Sequence, residues 1–123
     1  MTPLHRGDIL INEEGKMKIC ITSQGDNLNA QVDSRFGRCE YFVLVDSDTL
    51  DYEIRRNPNA QDASGAGVTS AQLMIDWGIS VILTGNVGPK MIQVLQSTGI
   101  KIIRGVAGTV KEVMERYKNG EFR

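Results

Sequence analysis

The chain contains one histidine and two cysteines in 123 residues, and each shortage excludes something. Cys20 and Cys39, with no CxxC pair, and a lone His5 cannot build a zinc site from four protein ligands of the usual kind. A Ser-His-Asp or Cys-His catalytic pair needs a base, and the one histidine sits in an opening segment without sustained periodicity. A two-metal nuclease on a sheet of this kind would need a carboxylate in the first strand, where Lys18, Ile19, Cys20 and Ile21 stand. The sequence therefore predicts no catalysis. Net charge is also scarce, at −1 overall. Residues 17–123 carry twelve basic against twelve acidic groups once Arg6, Lys16, Asp8, Glu13 and Glu14 are set aside, so the basic excess of a nucleic-acid binder is missing. Apolar runs such as Ile79 to Leu83 are too short to span a membrane, and no signal-peptide pattern opens the chain. The expectation is a cytoplasmic protein with reduced thiols and no membrane or nucleic-acid partner.

What is present is ordinary globular composition: 41% apolar and 24% charged residues, with 13 glycines. The length suits one domain, with no room for a second core. Residues 1–16 are expected to form an N-terminal tail and residues 17–123 the domain. The codons for Glu13-Glu14-Gly15-Lys16 must be purine-rich, like a bacterial ribosome-binding site, which makes Met17 a candidate native start.

From Met17 the pattern is regular. Residues 17–23 alternate, with Ile19 and Ile21 on one face and Cys20 and Thr22 on the other, as a strand requires. Residues 39–47 place Tyr41, Val43 and Val45 against Phe42 and Leu44, so both faces are apolar and the strand belongs inside a sheet. Residues 50–57 alternate Leu50, Tyr52 and Ile54 with Asp51, Glu53 and Arg55, predicting an edge strand with one wet face. A helix over 68–78 carries Val68, Ala71, Met74 and Ile75 and stops at Gly78. The apolar run over 79–85 reads as a buried parallel strand. Gly88 and Pro89 open a second helix with Met91, Val94 and Leu95 as its stripe. Residues 100–104 form another short strand, and Thr109 with Glu112 makes a capping box for a last helix bearing Val110, Val113, Met114 and Tyr117. The order β-β-β-α-β-α-β-α predicts an α/β fold, a three-layer α/β/α sandwich around a mixed five-stranded sheet.

Three glycine-rich turns meet helix starts: Gly65-Ala66-Gly67, Gly85-Asn86-Val87-Gly88 and Gly105-Val106-Ala107-Gly108. Helix N-termini offer unpaired N–H groups and partial positive charge, so such turns can receive an anion, although glycine supplies ordinary turns just as readily. The stretch Ser34-Arg35-Phe36-Gly37-Arg38-Cys39 is the most unusual local feature. On one reading Arg35 and Arg38 clamp an anion beside a low-pKa Cys39 thiolate that ligates a soft metal. On the other it is a surface turn with Phe36 in the core and Cys39 as a small buried hydrophobe. Arg55 and Arg56 point to opposite strand faces, so at most one joins the positive region. Asp26, Asp33, Asp46 and Asp62 are more simply read as loop polars than as a carboxylate metal site.

The run Asp33 to Phe42, then Gly65-Ala66-Gly67, then Thr84-Gly85-Asn86-Val87-Gly88-Pro89, then Gly99-Ile100-Lys101, resembles the dinitrogenase iron-molybdenum cofactor-binding family over essentially all of 17–123. That family includes NifX-type carriers, the C-terminal domain of NifB-type proteins and stand-alone orange-protein-type members. The resemblance implies a ribonuclease H-like fold and non-catalytic binding, storage or delivery of a preassembled metal-sulfur cluster. The cargo implied is the iron-molybdenum cofactor, its precursor, or a related molybdenum, copper or iron sulfide cluster, including a molybdenum-copper sulfide held without protein-metal bonds. Cluster donor and acceptor proteins are the implied partners. Under this resemblance Arg35 and Arg38 neutralise the cluster, and Phe36 and Gly37 belong to the same turn. Cys39 ligates metal or donates a hydrogen bond, and Gly65, Ala66, Gly67, Gly85, Asn86 and Gly88 line the backbone-donor turns. The core lacks the histidine that some cofactor carriers use as a ligand. A protein-interaction or regulatory module of the same fold is the alternative from another class, and a nucleotide or small-anion binder is a third.

Overall fold

The computed structural model describes residues 4–6, 9–11, 17–60 and 66–122. Within the segment read as a tail, β1 (Leu4–Arg6) and β2 (Ile9–Ile11) pair antiparallel with Leu4 opposite Ile11. The domain then runs β3 (Lys18–Ser23), β4 (Tyr41–Asp46), β5 (Tyr52–Arg56), α1 (Ala66–Asp76), β6 (Val81–Leu83), α2 (Pro89–Ser97), β7 (Lys101–Ile103) and α3 (Val110–Lys118).

Strands β5-β4-β3-β6-β7 form one sheet in that order, antiparallel across β5, β4 and β3 and parallel across β3, β6 and β7. Alternation sorts the side chains into two apolar layers. Ile19, Ile21, Val43, Val45, Val81 and Leu83 pack on Val110, Val113, Met114 and Tyr117 of α3. Cys20, Phe42, Leu44 and Ile82 face Ala71 and Met74 of α1 and Met91 and Leu95 of α2. The three-layer α/β/α sandwich with a mixed five-stranded sheet follows from this two-sided burial.

Local chemistry sets the element ends. After α1, the Gly78 N–H reaches the Ile75 carbonyl at 3.1 Å and the Ile79 N–H the Met74 carbonyl at 3.0 Å, a Schellman stop that also buries Ile79 against Met74. Pro89 opens α2 after Gly88, and the Thr109–Glu112 capping box opens α3. Two expectations change. Val94 is 38% exposed, because Met91 and Leu95, four residues apart, already fill the inward face of α2. The polar face of β5 is not simply wet, since the Arg55 guanidinium lies 4.9 Å from the centre of the Trp77 ring, whereas Tyr52 on the opposite face is 51% exposed. Val68 falls outside the described side chains.

Strands β3 and β6 are parallel neighbours, yet the chain leaves β3 towards β4 on one side and reaches β6 from α1 on the other. Such reversals in open α/β sheets leave a crevice beyond the C-terminal strand ends, where ligands bind. The 24–40 and 84–88 segments meet there.

Candidate functional site

At this edge the ends of β3 and β6 are joined by buried hydroxyls. Thr22 Oγ1 donates to the Asp33 carbonyl at 2.7 Å, which leaves Thr84 to donate to Thr22 Oγ1, also at 2.7 Å. The Asp33 N–H donates to the Thr22 carbonyl at 2.9 Å. Asp33 is thereby fixed with its carboxylate buried, and Oδ1 accepts from the Arg35 N–H at 2.9 Å and from Arg35 Nε at 3.3 Å. The Arg35 side chain remains 63% exposed while its partner is 3% exposed. The Asp33 hydrogen bond raises the Arg35 pKa above its already high value, so the guanidinium stays charged.

Arg35 bridges in parallel to Asn86, and the Phe36 N–H donates to the Asn86 carbonyl at 3.1 Å. The 33–39 turn and the 85–88 turn are therefore one surface. Gly85 is glycine because of this contact: a Cβ there would meet Ser34 Cα at 2.6 Å. The absence of a side chain at Gly85 is what lets the two turns pack this closely. Gly88 differs: a Cβ there would meet nothing within 4 Å, and the helix it opens has no side-chain cap. Asn86 and Gly88 are exposed, and Asn86 Oδ1 accepts from the Val87 N–H at 3.0 Å. The turn at Gly105–Gly108 is not equivalent, because Thr109 and Glu112 already satisfy the start of α3.

Phe36 is buried against Phe42, ring centres 6.2 Å apart, and Gly37 turns the chain with φ of 95°, a conformation that disfavours any side chain. Arg38 is exposed. Of the two readings of Cys39, the geometry favours the small buried hydrophobe. The thiol lies in the apolar layer with Phe36 and Phe42 and is fully buried. Burial first, then the Asp33 charge, pushes its pKa up to about 12, the reverse of the lowered value expected beside two arginines. Cys20 is likewise buried and raised, by desolvation and then by Cys39. Gly65 lies outside the described residues, and Ala66 and Gly67 form the first turn of α1. Asp26 is exposed, Asp46 Oδ1 accepts from the Asp48 and Thr49 N–H groups, and Asp62 lies outside the described residues. Among the described residues no three His, Cys, Asp or Glu side chains gather to hold a metal ion.

Sequence reasoning passed over Asn57. This buried side chain donates through Nδ2 to the Gly37 carbonyl at 3.0 Å and the Cys39 carbonyl at 2.8 Å, tying the turn to the connection that leads into α1. An Asn-Pro-Asn step at the end of a strand was the available signal.

Residues 17–120 match the sequence profile described as dinitrogenase iron-molybdenum cofactor. The chain belongs to this family. It is similar to the orange protein of Desulfovibrio gigas, solved in its apo form, with 38% identity, 87% of this chain and 91% of that one covered, and a TM-score of 0.80. A Thermotoga protein described as NifB-type shares 32% identity over 85% of this chain and 89% of its own, with a TM-score of 0.72. An uncharacterized protein of Methanocaldococcus jannaschii is 29% identical over 97 residues, which are 76% of this chain and 82% of that protein. No helix among the described residues is long and apolar enough to cross a membrane.

Proposed function

We propose that this family member is a non-catalytic cytoplasmic carrier that binds, stores or delivers a preassembled metal-sulfur cluster between donor and acceptor proteins. The observation that carries the reading is the meeting, at one sheet edge, of the Arg35–Cys39 turn and the open start of α2 at Gly88. That edge offers positive charge and backbone donors, and among the described residues no constellation of metal-ligating side chains. Such a surface suits an anion that brings its own sulfides: it is held by charge-assisted hydrogen bonds and the partial positive charge of a helix start, and it can leave again. Arg35 and Arg38 neutralise the cluster, the N–H groups at the starts of α1 and α2 face it, and Cys39 contributes packing beneath the turn. Cargos that fit this chemistry include the iron-molybdenum cofactor, its precursor and a molybdenum-copper sulfide.

The test is anaerobic incubation of the folded protein with tetrathiomolybdate plus copper(I), and separately with iron-sulfur precursors. Metal and acid-labile sulfide are counted per chain and charge-transfer bands recorded. Near-stoichiometric uptake that weakens in Arg35→Ala and Arg38→Ala, with a shallower salt dependence in each, is the expected result. A folded protein that refuses every cluster is instead an interaction module of the same fold.

A further inference from the structure

Two buried polar atoms have no hydrogen-bond partner among the described residues: Asn59 Nδ2, in the connection that follows β5, and Ser70 Oγ, within α1. Asn59 is 8% exposed and Ser70 is fully buried. An unmatched buried donor destabilises a fold, so native proteins keep few of them, and each calls for a reason. The contrast with Asn57, two residues earlier, is informative. Asn57 Nδ2 has two carbonyls to donate to, at Gly37 and Cys39, as a structural asparagine should. Asn57 Oδ1 in turn accepts from the Asn59 N–H at 2.9 Å, which joins the backbone of Asn59 to the turn that presents Arg35 and Arg38. Asn59 thus has its backbone fixed beside the site and its Nδ2 without a partner among the described residues. Ser70 lies one helical turn before Met74 on the same face of α1, nearer the start of that helix.

We propose that the Asn59 amide is a further cargo-binding group, its Nδ2 donating to a sulfido or oxo acceptor of the bound anion, with the Ser70 hydroxyl of α1 as a second donor. The proposal rests on the carrier reading above. Its chemistry is complementary: the outer atoms of a metal sulfide are acceptors only, and an amide NH2 supplies two donors.

The test compares wild type, Asn59→Ala and Asn59→Asp, measuring the melting temperature without cargo and the affinity for tetrathiomolybdate plus copper(I) by anaerobic titration. Asn59→Ala removes an unmatched donor together with a little buried packing, so it is expected to melt close to wild type while binding about tenfold or more weaker. Asn59→Asp keeps the shape, exchanges the donor for negative charge, and binds weaker still, by a margin that narrows as salt is added. An Asn59→Ala protein that binds as wild type does, or that melts clearly lower, overturns the assignment. Folded wild type that refuses this probe and the iron-sulfur precursors alike defeats the carrier reading itself.

Discussion

Gly85 stands against the backbone of Ser34 so closely that a Cβ at position 85 would lie 2.6 Å from Ser34 Cα and 2.9 Å from Ser34 Cβ. Neither neighbour is the flexible end of a long side chain, so Gly85→Ala must part the two turns. The Phe36 N–H to Asn86 carbonyl bond, and the 2.8 Å bond from the Gly105 N–H to the Gly85 carbonyl, weaken together. Overpacking of this kind costs about 1–3 kcal/mol. Urea denaturation should show that loss, and cargo uptake should fall in the same variant at temperatures where it remains folded. A Gly85→Ala protein as stable as wild type would mean that the turns yield freely.

The removal of the Asn57 side chain should be as costly. Asn57→Ala leaves the Gly37 and Cys39 carbonyls without their side-chain donor at a buried position. Losing partners for buried polar groups costs about 1–3 kcal/mol each, and Asn57→Asp adds a carboxylate facing the same two carbonyls. The expected order of stability by chemical denaturation is wild type, then Asn57→Ala, then Asn57→Asp. Equal stability of the two variants would deny the donor role.

Much of the fold is legible in the sequence because local rules and global burial agree. Ile19 and Ile21 alternate with Cys20 and Thr22 and are buried on opposite faces of β3, and Thr109 with Glu112 announces the start of α3. The legible parts of the candidate site are its segments, marked by Arg35, Arg38 and the glycines near 85. Their adjacency is not legible, since it depends on the Arg35–Asn86 bridge between distant parts of the chain. Asn57 and Asn59 escape for a related reason: asparagine in a loop is ordinary, and only the partners of Asn57 and the lack of one at Asn59 separate them. Composition around Cys39 misleads, because two nearby arginines imply a lowered thiol pKa while burial acts more strongly in the other direction.

The capping box predicts a pH dependence. Hydrogen bonds from the Thr109 N–H and hydroxyl to Glu112 hold its carboxyl below the ordinary glutamate value of 4.5. A carboxyl whose pKa is lower when folded adds stability above its unfolded pKa and loses that contribution as pH falls through the folded value. Wild type should therefore exceed Glu112→Gln in stability at neutral pH, with the difference shrinking as pH drops below about 4.5. Melting curves of both proteins between neutral and strongly acid pH measure this directly. A gap that persists unchanged into acid would assign the stabilisation to something other than the carboxylate.

Cys39 gives the opposite sign at the other end of the scale. Its thiol is pushed up to about 12 from an ordinary 9.0, so the folded state holds the proton more tightly than the unfolded chain. The stability this confers is complete below the unfolded value and is lost as pH rises through the folded one, between about 9 and about 12. Alkaline titration of stability should show that decline, and Cys39→Ala should lessen it while leaving the part due to Cys20, whose pKa is raised in the same direction. At pH 8 the folded protein holds Cys39 as the buried, protonated thiol, so iodoacetamide should label the unfolded chain and spare the folded one. The same variant decides what the thiol does for the cargo. If Cys39 is packing, Cys39→Ala costs about 1–2 kcal/mol of stability through the small cavity and leaves cluster uptake intact. If uptake disappears while stability is unchanged, the cargo must reach a thiol that is closed in the folded protein, and the Phe36–Gly37 turn must open to admit it.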